Sequence, residues 1–403
     1  MKHYDFNTPF DRRHTDCVKY DLLPHLYGRD DLLPLWVADT DFPSPSCVLD
    51  ALRRRLDHPF LGYPMPSASY WESLCQWLLR HYRISTSPQE LHFIPGIVAG
   101  ISYTLLCLTQ PGDRVLTLAP VYPPFFRIPR GCGREVEASP LQVHDGRFVI
   151  DFDDFERRAQ GCRLFILANP HNPAGTLWNS EDLKRIADIC HQAGLIVVAD
   201  EIHADLTLPG HHHTSYSTVS PSAADHSITF FAPSKTFNIA GLASSACYIP
   251  NPDLRSRFFA WLDALGVASG SLFAFVGAEA AYTGGEDYLR QLLPYLEANI
   301  ALLRTFLASR MPSVRALLPE ASYLAWLDFS ACGYSHSQLT DLIINRARLV
   351  LNDGTEFGGS TYECCFRLNL ACPRAVLADA LDRLADALLP FPAAAPSPSA
   401  ARP

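Results

Sequence analysis

Three things are scarce in this sequence, and each scarcity narrows the reading. No uncharged apolar window of about eighteen residues occurs, so no membrane-spanning helix is expected. Positive charge is in deficit: 33 Lys and Arg stand against 42 Asp and Glu, a formal net charge of −9. That balance favours solubility and argues against a nucleic-acid partner. CxxC pairs are missing although the chain has 12 cysteines, so zinc-site spacing is not met. The cysteines are scattered, often within apolar runs such as Cys107 in SYTLLCLT and Cys247 in ASSACYIP. They read as small buried hydrophobes kept reduced. His211, His212 and His213 lack an acidic or cysteine partner at ligand spacing, so they read as a polar loop and no metal is expected. The opening residues MKHYDFNTPFDRRHTD contain no apolar signal core, which makes a cytoplasmic location the expectation.

Apolar residues are plentiful, at 48% of 403, enough for a large core and for two domains. Short apolar runs ending at Pro or a polar residue recur in RVLTLAP (114–120), RLFILANP (163–170), LIVVADE (195–201) and SITFFAP (227–233). Such runs read as buried strands of a mostly parallel sheet. Helical patterns lie between them, for example SEDLKRIADICHQAG, with Ser180 as its cap and Gly194 as its stop. The order predicts an α/β fold with right-handed crossovers. A long helical stretch over 282–311 leads to a strand over 321–329 and a last helix over 373–389. The tail from 391 to 403 is rich in Pro, Ala and Ser and reads as disordered.

In open α/β sheets ligands sit beyond the carboxyl ends of the strands. There this sequence places Asn172, Asp200, Lys235 and Tyr122. Any one of them has a commonplace reading as a turn, cap or surface group. Together they match what pyridoxal 5′-phosphate (PLP) needs. The aldehyde needs a lysine amine, Lys235. The pyridine nitrogen keeps its proton beside a carboxylate, Asp200. The ring oxygen takes a donor from Asn172, and the ring face takes an aromatic plate, Tyr122. The phosphate suits backbone N–H groups at a helix start, where Ile97 and Val98 stand after Pro95-Gly96. An amino-acid carboxylate suits a bidentate arginine, for which Arg367 in FRLN is the candidate.

These blocks carry a resemblance. LPLWVADTDFPSP (33–45), ANPHNPAGTLW (168–178), VVADEIHADL (197–206), APSKTFNIAGLA (232–243) and FRLNLACPR (366–374) resemble fold-type I PLP enzymes, the aspartate aminotransferase superfamily. Within it they are most similar to the PatB/MalY group of cystathionine β-lyases. The resemblance covers nearly everything except the tail. It implies a large domain (49–285) with a mostly parallel seven-stranded sheet and a smaller α+β domain (286–390), which the N-terminal segment (1–48) joins. It implies Lys235 as Schiff-base lysine and proton shuttle, Asp200 at the ring nitrogen, Asn172 at the ring oxygen, Tyr122 on the ring, and Arg367 on the substrate carboxylate. Ser234 and His203 join the cofactor site, and Tyr63 in GYP reaches the phosphate of a neighbouring subunit in a homodimer. The implied activity is carbon–sulfur β-elimination from cystathionine or a related cysteine S-conjugate, giving thiol, pyruvate and ammonia. An aminotransferase is the alternative, and a regulatory binding protein with residual lyase activity a third. The sequence departs from the group at Thr40, where methionine is expected, at GSLFAF (270–275), and at Gly358–Cys365, a segment expected to border the substrate.

Overall fold

A computed structural model describes residues 2–388. The expectation of a disordered tail falls outside the described residues. Strand β1 (Leu33–Pro34) precedes a large sheet made of β2 (Leu91–Ile94), β3 (Arg114–Ala119), β4 (Glu135–His144), β5 (Arg147–Ile150), β6 (Cys162–Ala168), β7 (Ile196–Asp200), β8 (Ser227–Phe231) and β9 (Ser245–Tyr248). Their order across the sheet is β2-β9-β8-β7-β6-β3-β4-β5. The five strands from β8 to β4 run parallel, and β9, β2 and β5 pair antiparallel at the edges. The sheet thus has eight strands rather than seven. The extra one is β5, which folds back on β4 through Asp145-Gly146, both at positive φ.

The centre of the sheet is buried on both faces, as all-parallel pairing with covering helices demands. Leu164, Phe165, Ile166, Val197, Val198, Ile228 and Phe230 are solvent-inaccessible. Each such side chain contributes about 1.5–3 kcal/mol by burial, which fixes the strand ends as a rigid platform. The helix Ser180–Gln192 is capped by Asn179, not Ser180: the Asn179 side chain accepts from Asp182 N–H. The long helical stretch is two helices, Leu272–Gly284 and Glu286–Arg310, divided at Gly285.

The rest of the chain adds β10 (Arg315–Leu317), β11 (Leu324–Asp328), β12 (Leu349–Val350), β13 (Asn352–Asp353) and β14 (Cys365–Asn369). Four of these form an antiparallel sheet ordered β10-β11-β14-β13, covered by the last helix, Arg374–Leu388. The N-terminal residues lie against this unit, with β1 and β12 in parallel register, Leu33 opposite Leu349. The approach of the two sheets is close at Gly175. A Cβ there would lie 2.0 Å from the Ala321 carbonyl oxygen, and φ is +65°, so glycine is required. No described helix is long and apolar enough to cross a membrane.

Candidate active site

The parallel strands deliver their polar termini to one edge. β7 ends on Asp200, β6 leads into Asn172, β8 into Ser234 and Lys235, and β3 into Tyr122. After β2 the chain turns at Gly96, φ +104°, into the twelve-residue helix Ile97–Leu108. Its first N–H groups have no partner within the helix and point at the same edge. Ile97, Val98, Tyr122, Asn172, Asp200, His203, Ser234 and Lys235 all line one cavity of about 190 Å³. Eight sequence-selected residues, spread over 139 positions from Ile97 to Lys235, are brought together.

The electrostatics are those of a polar site short of a partner. Asp200 accepts one hydrogen bond, from Ile202 N–H at 3.1 Å, and no ion pair reaches it among the described residues. Burial pushes its carboxyl up to about 7. Lys235 is pushed down to about 8, first by burial and then by the charge of Arg367; its Nζ donates to the Ala38 carbonyl at 2.6 Å. His203 sits well below the usual imidazole range, mainly through burial, and its Nδ1 pairs with Ser322 Oγ at 3.0 Å. At neutral pH it is uncharged.

Arg367, on β14, adjoins the cavity from the second sheet. Its Nη1 donates to Asn172 Oδ1 at 3.0 Å, and its Nη2 donates to the Trp36 carbonyl at 2.9 Å and to Asn352 Oδ1. Burial lowers it only to about 10, so it stays cationic. The buried Nε has no partner among the described residues, a donor held open at a cationic fork. With its Oδ1 taken by Arg367, Asn172 keeps its NH₂ as a donor. The donor set therefore fits PLP on grounds internal to this structure: an unpaired buried carboxylate, a buried lysine, unsatisfied helix-start amides and an aromatic plate.

Tyr63 does not reach this cavity within the chain. It is fully exposed on the stretch between the helices Ser46–Leu56 and Ala68–Tyr82, beside exposed Phe60, Leu61 and Met65. None of residues 358–365 lines the cavity. Tyr362 instead packs towards Trp326, and a Cβ on Gly358 would lie 2.5 Å from its ring. Thr40 is buried and binds Asn238 rather than the cavity.

Sequence reasoning missed several contributors. Ala38 and Ser244 line the cavity; the first lies in the WVAD block, read from the sequence as a family marker alone. Asp205 accepts from Trp77 Nε1 at 2.9 Å, Thr236 Oγ1 at 2.8 Å and Tyr82 O–H, anchoring the residue after Lys235. His213 is not part of a solvated loop. It is buried and pairs with the buried Glu201 at 3.0 Å, next to Asp200. A partner twelve residues upstream at a strand end leaves no local spacing signal.

Residues 30–384 match the family model described as aminotransferase class I and II. The chain is 40% identical to cystathionine beta-lyase PatB of Bacillus subtilis, over 95% of this chain and 100% of that protein. Among solved structures it resembles PLP-containing cystalysin from Treponema denticola, with a TM-score of 0.92, 31% identity, and 96% and 99% of the two chains covered. It also resembles the PLP-bound C-S lyase of Staphylococcus hominis with L-cycloserine, with a TM-score of 0.90, 32% identity and coverage of 96% and 99%.

Proposed function

The chain belongs to the class I and II aminotransferase family, and from that premise we propose that it is a PLP-dependent carbon–sulfur β-lyase acting on cystathionine or a related cysteine S-conjugate. The observation that carries the reading is the convergence of Lys235, Asp200, Asn172 and Tyr122 on one cavity beside Arg367, whose buried Nε has no partner among the described residues. End-to-end likeness to a cystathionine beta-lyase and to C-S lyases selects the reaction type.

Bound in the cavity, PLP supplies an aldehyde for the substrate amine and a ring that withdraws electrons from Cα. Asp200 would pair with a protonated ring nitrogen, which would turn a costly buried carboxylate into a paired one. Asn172 would donate its NH₂ to the ring oxygen. Tyr122 would supply the aromatic plate for the ring, and neutral His203, held by Ser322, would support the site. The Ile97 and Val98 amides and the Ser234 hydroxyl would hold the phosphate, with Tyr63 of the partner subunit joining them. Arg367 orients the substrate carboxylate through Nε, while its other nitrogens are fixed by Asn172, Asn352 and Trp36. Lys235, with a proton affinity near 8, takes the Cα proton at Nζ. A thiolate with an ordinary pKa of about 8.5 leaves without a strong acid.

The exposed Phe60, Leu61, Tyr63 and Met65 support a homodimer, since contiguous apolar surface of this kind marks an interface. The domain division at 48 and 285, with a small C-terminal domain to 390, and a cytoplasmic location belong to the same reading. An aminotransferase uses the same Lys235, Asp200 and Arg367, and the family description favours it as the second reading. A panel of cysteine S-conjugates separates the two: thiol release from at least one supports the lyase, and release from none refutes it.

A further inference from the structure

The lysine amine and a buried tyrosine share one acceptor. Lys235 Nζ donates to the Ala38 carbonyl at 2.6 Å, and Tyr323 O–H donates to the same oxygen at 3.0 Å. A carbonyl oxygen has two lone pairs and accepts both. Ala38 also lines the cavity, so its carbonyl faces the place where the lysine works.

That carbonyl is held firmly in place. The residues on either side, Val37 and Asp39, each accept from Asn369 Nδ2 at 2.7 Å. Asp39 is further bound by Arg12 at 2.5 Å, and the buried Lys19 lies 3.4 Å from it. Tyr323 is fixed with equal care. It follows Ser322, a non-glycine residue at φ +73°, a left-handed conformation that residues with a Cβ seldom adopt. Ser322 N–H bonds the Leu206 carbonyl at 2.8 Å, and its hydroxyl meets His203 at 3.0 Å. Just upstream, the Glu320 and Ala321 amides both donate to the Gly175 carbonyl. The chain accepts backbone strain where the second sheet touches the first, and Tyr323 thereby reaches Ala38.

We propose that Tyr323 is a positioning residue for Lys235: it keeps the Ala38 carbonyl satisfied while the lysine is bonded to the cofactor, so that the carbonyl remains a docking point for the amine when it is freed. The proposal rests on Lys235 being the cofactor lysine. Without the phenol, the Ala38 carbonyl has Lys235 as its sole donor in the described site. Moving Lys235 to the cofactor then leaves a buried acceptor unpaired, which is unfavourable, so the amine stays docked and cofactor capture weakens.

The test is a double-mutant cycle read as PLP affinity of the apoprotein, measured by absorbance and fluorescence titration. Tyr323→Phe keeps the ring and its packing, and melting of the apoprotein checks the fold. The expected result is at least tenfold weaker PLP binding when Lys235 is present, and less than twofold change in the Lys235→Ala background. In that background no lysine leaves the carbonyl in either state. Equal losses in both backgrounds, or no loss in either, overturn the proposal. Borohydride reduction of the wild-type holoprotein separates the underlying reading: a pyridoxyl group mapped to another lysine refutes the lysine assignment and the proposal with it, whereas one mapped to Lys235 leaves the cycle as the deciding measurement.

Discussion

Replacing Asp200 by asparagine should pull stability and activity in opposite directions, with a pH signature set by burial. In the apoprotein the carboxyl is raised to about 7 because it is buried with one backbone N–H as its hydrogen-bond donor. In the unfolded chain it titrates near its ordinary value of about 4. Folding therefore favours the protonated form. The stability this group contributes is complete below about pH 4 and is lost as pH rises through about 7. One pH unit of difference corresponds to about 1.4 kcal/mol, so the full loss is about 4 kcal/mol. An amide of the same shape does not titrate. Denaturant unfolding of the two apoproteins should thus show Asp200→Asn gaining on wild type by roughly 1.4 kcal/mol per pH unit between about pH 4 and 7, then levelling off. At the same time the holoenzyme should lose turnover by orders of magnitude, because the amide cannot stabilise a charged ring nitrogen. A stability difference that is flat from pH 4 to 8 would refute the burial argument. An asparagine variant with near-normal turnover would remove Asp200 from the chemistry.

Other expectations follow from the same geometry. Lys235→Ala should abolish turnover while the protein still folds, as judged by circular dichroism, since the residue lies on a loop after β8 and not in the core. Arg367→Lys should raise KM about ten- to a hundredfold in steady-state assays, because a point charge cannot replace a planar fork tied to Asn172, Asn352 and Trp36; an unchanged KM would place the substrate carboxylate elsewhere. Refolding a Tyr63 variant together with a Lys235 variant, each inactive alone, should restore part of the activity if the site is shared between subunits. A fully active monomer by light scattering contradicts that sharing.

Much of the platform was legible in the sequence because its strands are continuous apolar runs that stop abruptly at polar residues. Those stops line the cavity, so the gathering of Asn172, Asp200 and Lys235 was legible from the sequence. Local signals also carried the Ile97 helix start, where Gly96 supplies the positive φ. What stayed hidden depends on contacts across long separations. Tyr323 and Ala38 are 285 positions apart, and Arg367 meets Trp36 across 331; no spacing rule links them. His213 looked like one of three solvated histidines, and only the fold shows it buried against Glu201. The segment 358–365, expected by resemblance to border the substrate, does not line the cavity that gathers Lys235 and Asp200; what its chain does show is the Tyr362 ring packed where a Cβ on Gly358 would lie.

The choice between elimination and transamination turns on mass balance. Purified holoenzyme is given one S-conjugate that releases thiol, with no 2-oxo acid present, and all products are counted through many turnovers. Elimination predicts pyruvate, ammonia and thiol in equal amounts, unchanged when a 2-oxo acid is added. Turnover that stops after one equivalent per site and resumes only with a 2-oxo acid, without thiol in proportion, would contradict the lyase assignment.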